Sequence, residues 1–184
     1  MRTFVAIELP DEVKKNIIEL INELKKVKSE VKWVEEKNLH LTLKFLGWVE
    51  DQKIEEVIRL TQEAVKEKGK FKIKLEDLGT FPSGKSPRVI WVGVTEGKEK
   101  LVNLAESLEK IFAQAGFRSE EREFSAHVTI GRIKEKKGVD KLKEKIEGYQ
   151  KPFFGEAVVD HIQVVKSTLT PKGPIYETIK EVKL

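Results

Sequence analysis

His40-Leu41-Thr42-Leu43 and His127-Val128-Thr129-Ile130 are two copies of one tetrapeptide, histidine–apolar–threonine–apolar, set 87 residues apart in a chain of 184. Only three histidines occur, and two of them carry the pattern. In a β-strand, residues i and i+2 share a face. Leu39, Leu41, Leu43 and Phe45 then line one face of the first segment, while His40, Thr42 and Lys44 line the other. In the second segment, Phe124, Ala126, Val128 and Ile130 alternate with His127 and Thr129. Each copy predicts a half-buried strand that presents an imidazole and a hydroxyl side by side. A single His-x-Thr is a weak motif, and its duplication in register is what gives it weight.

The likeness between the halves extends outward from the motifs. Arg2–Ile7 and Arg88–Gly93 are short, apolar and partly β-branched, and predict strands. Asp11–Val27 and Lys98–Ala115 follow, with apolar residues at helical spacing, and Gly116 is a plausible stop for the second. Each half then has its histidine strand and a polar helix, Asp51–Lys68 or Val139–Glu147. Later strands are predicted over Phe71–Leu78, Phe153–Val165 and Ile175–Val182, with a short extra one at Val31–Val34. The order β-α-β-α-β, used twice, predicts an α+β protein from an internal duplication. Its two pseudo-symmetric lobes each have a mostly antiparallel sheet flanked by helices. The expected organisation is one bilobal catalytic domain, residues 1–184, with pseudo-repeats of about 1–87 and 88–184. A pseudo-twofold axis would bring the two polar faces together. Gly79–Pro87, at the junction, reads as a loop, with Lys85 on a flap near the ligand as its functional reading.

Composition narrows the classes. Net charge is +4 with 36% charged residues, mostly Lys and Glu in mixed runs, compatible with a polyanionic ligand without demonstrating one. The absence of cysteine excludes disulfides, zinc ribbons and thiol catalysis. No apolar run reaches membrane-spanning length, so a cytoplasmic protein without membrane association is expected, and a monomer. Abundant Lys and Glu, no Cys and one Met fit a thermophilic source. No Gly-x-x-x-x-Gly-Lys-Ser/Thr loop supports ATP-driven ligation, and no Gly-x-Ser-x-Gly supports acyl hydrolysis. The third histidine, His161, lacks threonine at +2 and reads as structural or surface. Joining it to His40 and His127 in a metal site has no support from ligand spacing, so neither metal nor cofactor is expected.

A neutral and a protonated imidazole form a general base and acid pair near neutrality. Threonine hydroxyls can donate to phosphate oxygens, and phosphoryl transfer depends largely on such positioning and charge stabilisation. With these motifs the chain resembles the 2H phosphoesterase superfamily. Within it, the chain is similar to the bacterial and archaeal RNA 2′,3′-cyclic phosphodiesterases, also called 2′-5′ RNA ligases. The likeness includes Arg2–Pro10, Asn38–Gly47, Ala126–Arg132 and the ending Ser167-Thr168-Leu169 through Gly173-Pro174-Ile175-Tyr176. The resemblance implies metal-independent hydrolysis of RNA 2′,3′-cyclic phosphate ends, tRNA fragments among the candidates, to 2′-phosphomonoesters. It also implies reversible, ATP-independent 2′-5′ joining. It makes His40 and His127 the catalytic pair, with His40 as acid and His127 as base, and it makes Thr42 and Thr129 phosphate ligands. It suggests Arg132 as a cation for phosphate or base, although strict alternation turns Arg132 away from His127 unless Gly131 permits a bulge. It suggests Phe4 as a base-stacking aromatic, with core packing the rival. Lys44 shares the alternation of His40 or simply reaches solvent. The competing functions are an esterase for small cyclic nucleotides and a non-catalytic RNA-end-binding module.

Overall fold

The computed structural model describes residues 1–149 and 152–184. Nine strands and four helices occur among them: β1 Arg2–Glu8, α1 Asp11–Leu24, β2 Val31–Trp33, β3 His40–Trp48, α2 Ile54–Ala64, β4 Phe71–Phe81, β5 Val89–Val94, α3 Lys98–Gln114, β6 His127–Ile133, α4 Val139–Glu147, β7 Phe153–Val159, β8 His161–Thr170 and β9 Gly173–Lys183. They build two sheets, one in the order β3-β1-β8-β9 and the other β2-β6-β5-β4-β7. Every pairing is antiparallel. This is the α+β, bilobal, pseudo-symmetric arrangement that the duplicated pattern predicts.

Each sheet hides one face under two helices. α2 and α3 lie against β9 and β3 of the first sheet, and α1 and α4 lie against β7 and β4 of the second. The reason is visible in α1, where Val13, Ile17, Leu20, Ile21 and Leu24 recur every three or four residues and are all buried. Asp11 and Glu12 in its first turn suit the positive end of the helix dipole. The chain crosses between lobes repeatedly, since α1 follows a strand of the first sheet yet packs on the second, and α3 does the reverse. The lobes are therefore not the sequence halves. One continuous apolar core, from Val5 and Ile7 through Leu20, Leu75, Ile90, Leu104 and Val164, runs under both sheets.

Several element boundaries differ from the sequence reading. The apolar run Phe153–Val165 is two strands, parted at Asp160, and the two belong to different sheets. Continuous hydrophobicity cannot mark where a chain leaves one sheet for another. β4 extends to Phe81, so Gly79–Phe81 are paired strand with Trp91, Ile90 and Val89 opposite, and only the residues after them form the turn. That turn is held to α4, where Lys143 donates to the carbonyl of Gly84 at 2.7 Å, while Lys85 is exposed. The polar helix predicted over Asp51–Lys68 is a short 3-10 turn, Asp51–Lys53, followed by α2, which ends before the positive φ of Glu67 (64°).

Candidate active site

Both histidine strands break their alternation at the same place. In β1–β3 pairing, Ala6 faces Thr42 and Val5 faces Lys44, so Leu43 is an extra residue. In β5–β6 pairing, Trp91 faces Thr129 and Ile90 faces Gly131, so Ile130 is the extra one. A bulge of one residue inverts the faces beyond it. The inversion corrects two sequence expectations. Lys44 turns toward the helices and is buried, its Nζ donating to Glu109 Oε2 of α3 at 2.6 Å and to the carbonyl of Arg118 at 3.4 Å. Phe45, expected on the apolar face, emerges on the face of His40 and is 61% exposed. The same device puts Arg132, exposed, on the face of His127 and Thr129, where unbroken alternation would not. Gly131 is glycine because Trp33 of β2 crosses it, and a Cβ there would come within 2.8 Å of the indole.

The imidazoles are held alike. His40 Nδ1 donates to the carbonyl of Asn38 at 2.7 Å, and His127 Nδ1 donates to the carbonyl of Ser125 at 2.7 Å. A carbonyl only accepts, so each neutral ring carries its proton on Nδ1 and leaves Nε2 unprotonated. His40 Nε2 lies 2.8 Å from Thr42 Oγ1. Burial pushes the His40 pKa below the ordinary imidazole value, with Lys14 acting in the same direction and the Asn38 carbonyl opposing both.

The faces that carry His40 and His127 are those the helices leave open, and β3 and β6 run beside each other where the sheets meet. Tyr176 of β9 lies beside His40. Its ring stands edge-on to His40, centroids 5.2 Å apart, and its hydroxyl feels the charges of Arg132 and Arg2. Burial raises the Tyr176 pKa against those charges, so the phenol keeps its proton near neutrality. Phe4 lies against His40, centroids 4.9 Å apart and planes 28° apart, and is 5% exposed. Among the described residues no group of three His, Asp or Glu side chains is placed to hold a metal. His161 hydrogen-bonds the carboxylate of Asp160 through Nδ1 at 2.6 Å.

The model of the 2′-5′ RNA ligase superfamily matches residues 9–170. The chain belongs to that superfamily. It is 41% identical to the RNA 2′,3′-cyclic phosphodiesterase of Methanocaldococcus jannaschii over 98% of this chain and 99% of that protein. It is also 41% identical to the one of Thermotoga maritima, over 98% and 94%. Among solved structures it superposes on TT0787 of Thermus thermophilus with a TM-score of 0.81 at 27% identity, covering 100% of this chain and 98% of that one. It superposes on E. coli LigT complexed with 3′-AMP with a TM-score of 0.77 at 26% identity, covering 100% and 97%. The thermophilic composition agrees with such sources among these relatives as Thermotoga maritima and Thermus thermophilus.

Sequence reasoning missed three features of this 2′-5′ RNA ligase superfamily member. Tyr176 lies 136 residues from His40, and no local pattern announces their contact. Phe45 and Lys44 could be placed only by knowing of the bulge. Phe4 packs on His40, Tyr176 and Phe45 rather than in the main core.

Proposed function

We propose that the whole chain, as one catalytic domain of two pseudo-repeats near 1–87 and 88–184, hydrolyses RNA 2′,3′-cyclic phosphate ends to 2′-phosphomonoesters. The observation that carries this reading is the duplicated His–Thr pair on adjoining strands, each imidazole pinned through Nδ1, with His40 Nε2 at its own motif's threonine hydroxyl. His127 takes a proton from water as the water oxygen attacks phosphorus. The bond from phosphorus to the ribose 3′ oxygen breaks, and His40 protonates that oxygen as it leaves. Thr42 and Thr129 donate to the non-bridging oxygens, and Arg132 offsets their charge. The two histidines do the proton work, so the reaction runs without a metal. An RNA 5′-hydroxyl in place of water opens the ring in the same way and forms a 2′-5′ bond without ATP. All the groups come from one chain, so no second copy is required.

Burial holds the His40 pKa below the ordinary imidazole value, which favours its neutral form in the free protein. An acid in that position gains its proton when the phosphate anion arrives beside it, because a nearby negative charge favours the imidazolium. Phe4 is a positioning residue in this scheme, fixing the plane of the His40 ring.

The test is incubation of the protein, with EDTA and without ATP, with an oligoribonucleotide ending in a 2′,3′-cyclic phosphate. The product is resolved against 2′- and 3′-phosphate standards. Formation of the 2′-phosphate alone is expected. A 3′-phosphate product, or turnover abolished by EDTA, would overturn the scheme. Because LigT of E. coli has been solved with 3′-AMP, free cyclic nucleotides are the second substrate class to compare.

A further inference from the structure

The second sheet carries an aromatic and a cation beyond the catalytic pair. Gly79, Trp91 and Thr129 form one row across β4, β5 and β6, and Phe81, Val89 and Arg132 form the next row on the same face. The first row has a flat floor. The Trp91 indole lies directly over Gly79, and any side chain there would collide with the ring. At the end of the second row, Phe81 is 50% exposed. Arg122, from the segment leading into His127, sits with its guanidinium carbon 5.5 Å from the Phe81 ring centroid. Neither Arg122 nor Arg132 makes an ion pair among the described residues. Interstrand spacing and rise put Phe81 about 12 Å from Thr129 between Cα atoms. That is beyond the phosphate held by the threonine and within reach of a neighbouring nucleotide.

We infer that Phe81 and Arg122 form a subsite for the nucleotide on the 5′ side of the cyclic-phosphate nucleotide, which makes single-stranded RNA rather than a mononucleotide the preferred substrate. The inference rests on the cyclic phosphodiesterase reading. A cyclic phosphate closes the 3′ end, so the rest of the RNA can leave the site only in the 5′ direction. The wall beside His40 is filled by Phe4 and Tyr176 packed on one another. The opposite wall offers the half-exposed ring of Phe81 for a base, with the charge of Arg122 beside it for the linking phosphodiester. An aromatic face with an adjoining cation fits a base of any identity.

The test compares adenosine 2′,3′-cyclic phosphate with the dinucleotide ApA ending in the same cyclic phosphate, for wild type, F81A, F81W and R122Q. The wild type should show a KM about ten-fold lower for the dinucleotide, the effect of one stacked base. F81A should lose that advantage while its kinetics on the mononucleotide stay unchanged, F81W should keep it, and R122Q should reduce it about three-fold. Equal KM values for both substrates in the wild type, or an F81A variant that slows both alike, would overturn the subsite. If the wild type turns over neither substrate, the hydrolase reading itself fails. Binding of a fluorescein-labelled ApA 2′-phosphate then decides the subsite: about ten-fold weaker in F81A supports it, and unchanged overturns it.

Discussion

The two histidines share a motif but not an environment. His40 is packed between Phe4 and Tyr176 and is touched by Thr42, while His127 has its backbone anchor at Ser125. His40→Ala and His127→Ala should each lower kcat by about 10²–10⁴-fold, the range for losing a general acid or base. A variant near the wild-type rate would remove that histidine from the mechanism. The depressed His40 pKa also has a sign in stability. Between its lowered folded value and the unfolded value of about 6.5, the unfolded chain binds a proton that the folded chain resists. His40 therefore costs no stability above that window, costs increasingly more as pH falls through it, and levels off below it. The melting temperature of the wild type minus that of His40→Gln should fall between pH 7.5 and pH 5.5, measured by differential scanning fluorimetry in a buffer without phosphate. A constant difference would mean that burial does not govern this imidazole.

At the scale of elements, the twin bulges at Leu43 and Ile130 matter most. Up to each threonine, alternation in the sequence places every side chain on its correct face. One unpaired residue later the parity inverts, and nothing in the spacing of Leu, Lys, Phe or of Ile, Gly, Arg signals it. Positions 40 to 42 and 127 to 129 were thus legible, whereas Lys44, Phe45 and Arg132 needed the cross-strand register. The turn of Lys44 into the interior has a consequence for the neighbouring element. Its side chain is 3% exposed and its ammonium pairs with Glu109, whose other oxygen accepts from the amide of Glu120 in the segment that leads to His127. Removing Glu109 strands a buried charge, so Glu109→Ala should cost about 2–3 kcal/mol, discounted for the partial exposure of the carboxylate. In a chain of this size that lowers the melting temperature by roughly 5–10 °C. Lys44→Met should cost less, and the double variant should recover much of the loss of Glu109→Ala. If Lys44→Met proves the more damaging of the two, the stranded-charge account fails.

The whole molecule is divided in shape but not in packing. The sequence announced two repeats, yet it could not announce that α1 and α3 cross to the opposite sheets, because an amphipathic helix buries its apolar stripe against whichever surface the chain path reaches. That exchange joins the lobes, since each sheet is covered by a helix that leads away from a strand of the other. The core is continuous in consequence. Unfolding should be one cooperative transition, with calorimetric and van't Hoff enthalpies equal. Leu20, 1% exposed on α1 under the second sheet, offers a direct trial. Leu20→Ala should cost about 3 kcal/mol, and it should shift the loss of strand signal in circular dichroism and the change in tryptophan fluorescence by the same amount. Trp33 and Trp91 report from the second sheet and Trp48 from the first. With Trp48 left as the single tryptophan, its fluorescence must move with the variant as well, although Leu20 lies in the other lobe. A Trp48 transition that stayed at the wild-type temperature would show lobes that melt separately, and the exchange of helices would then be a matter of chain path without energetic weight.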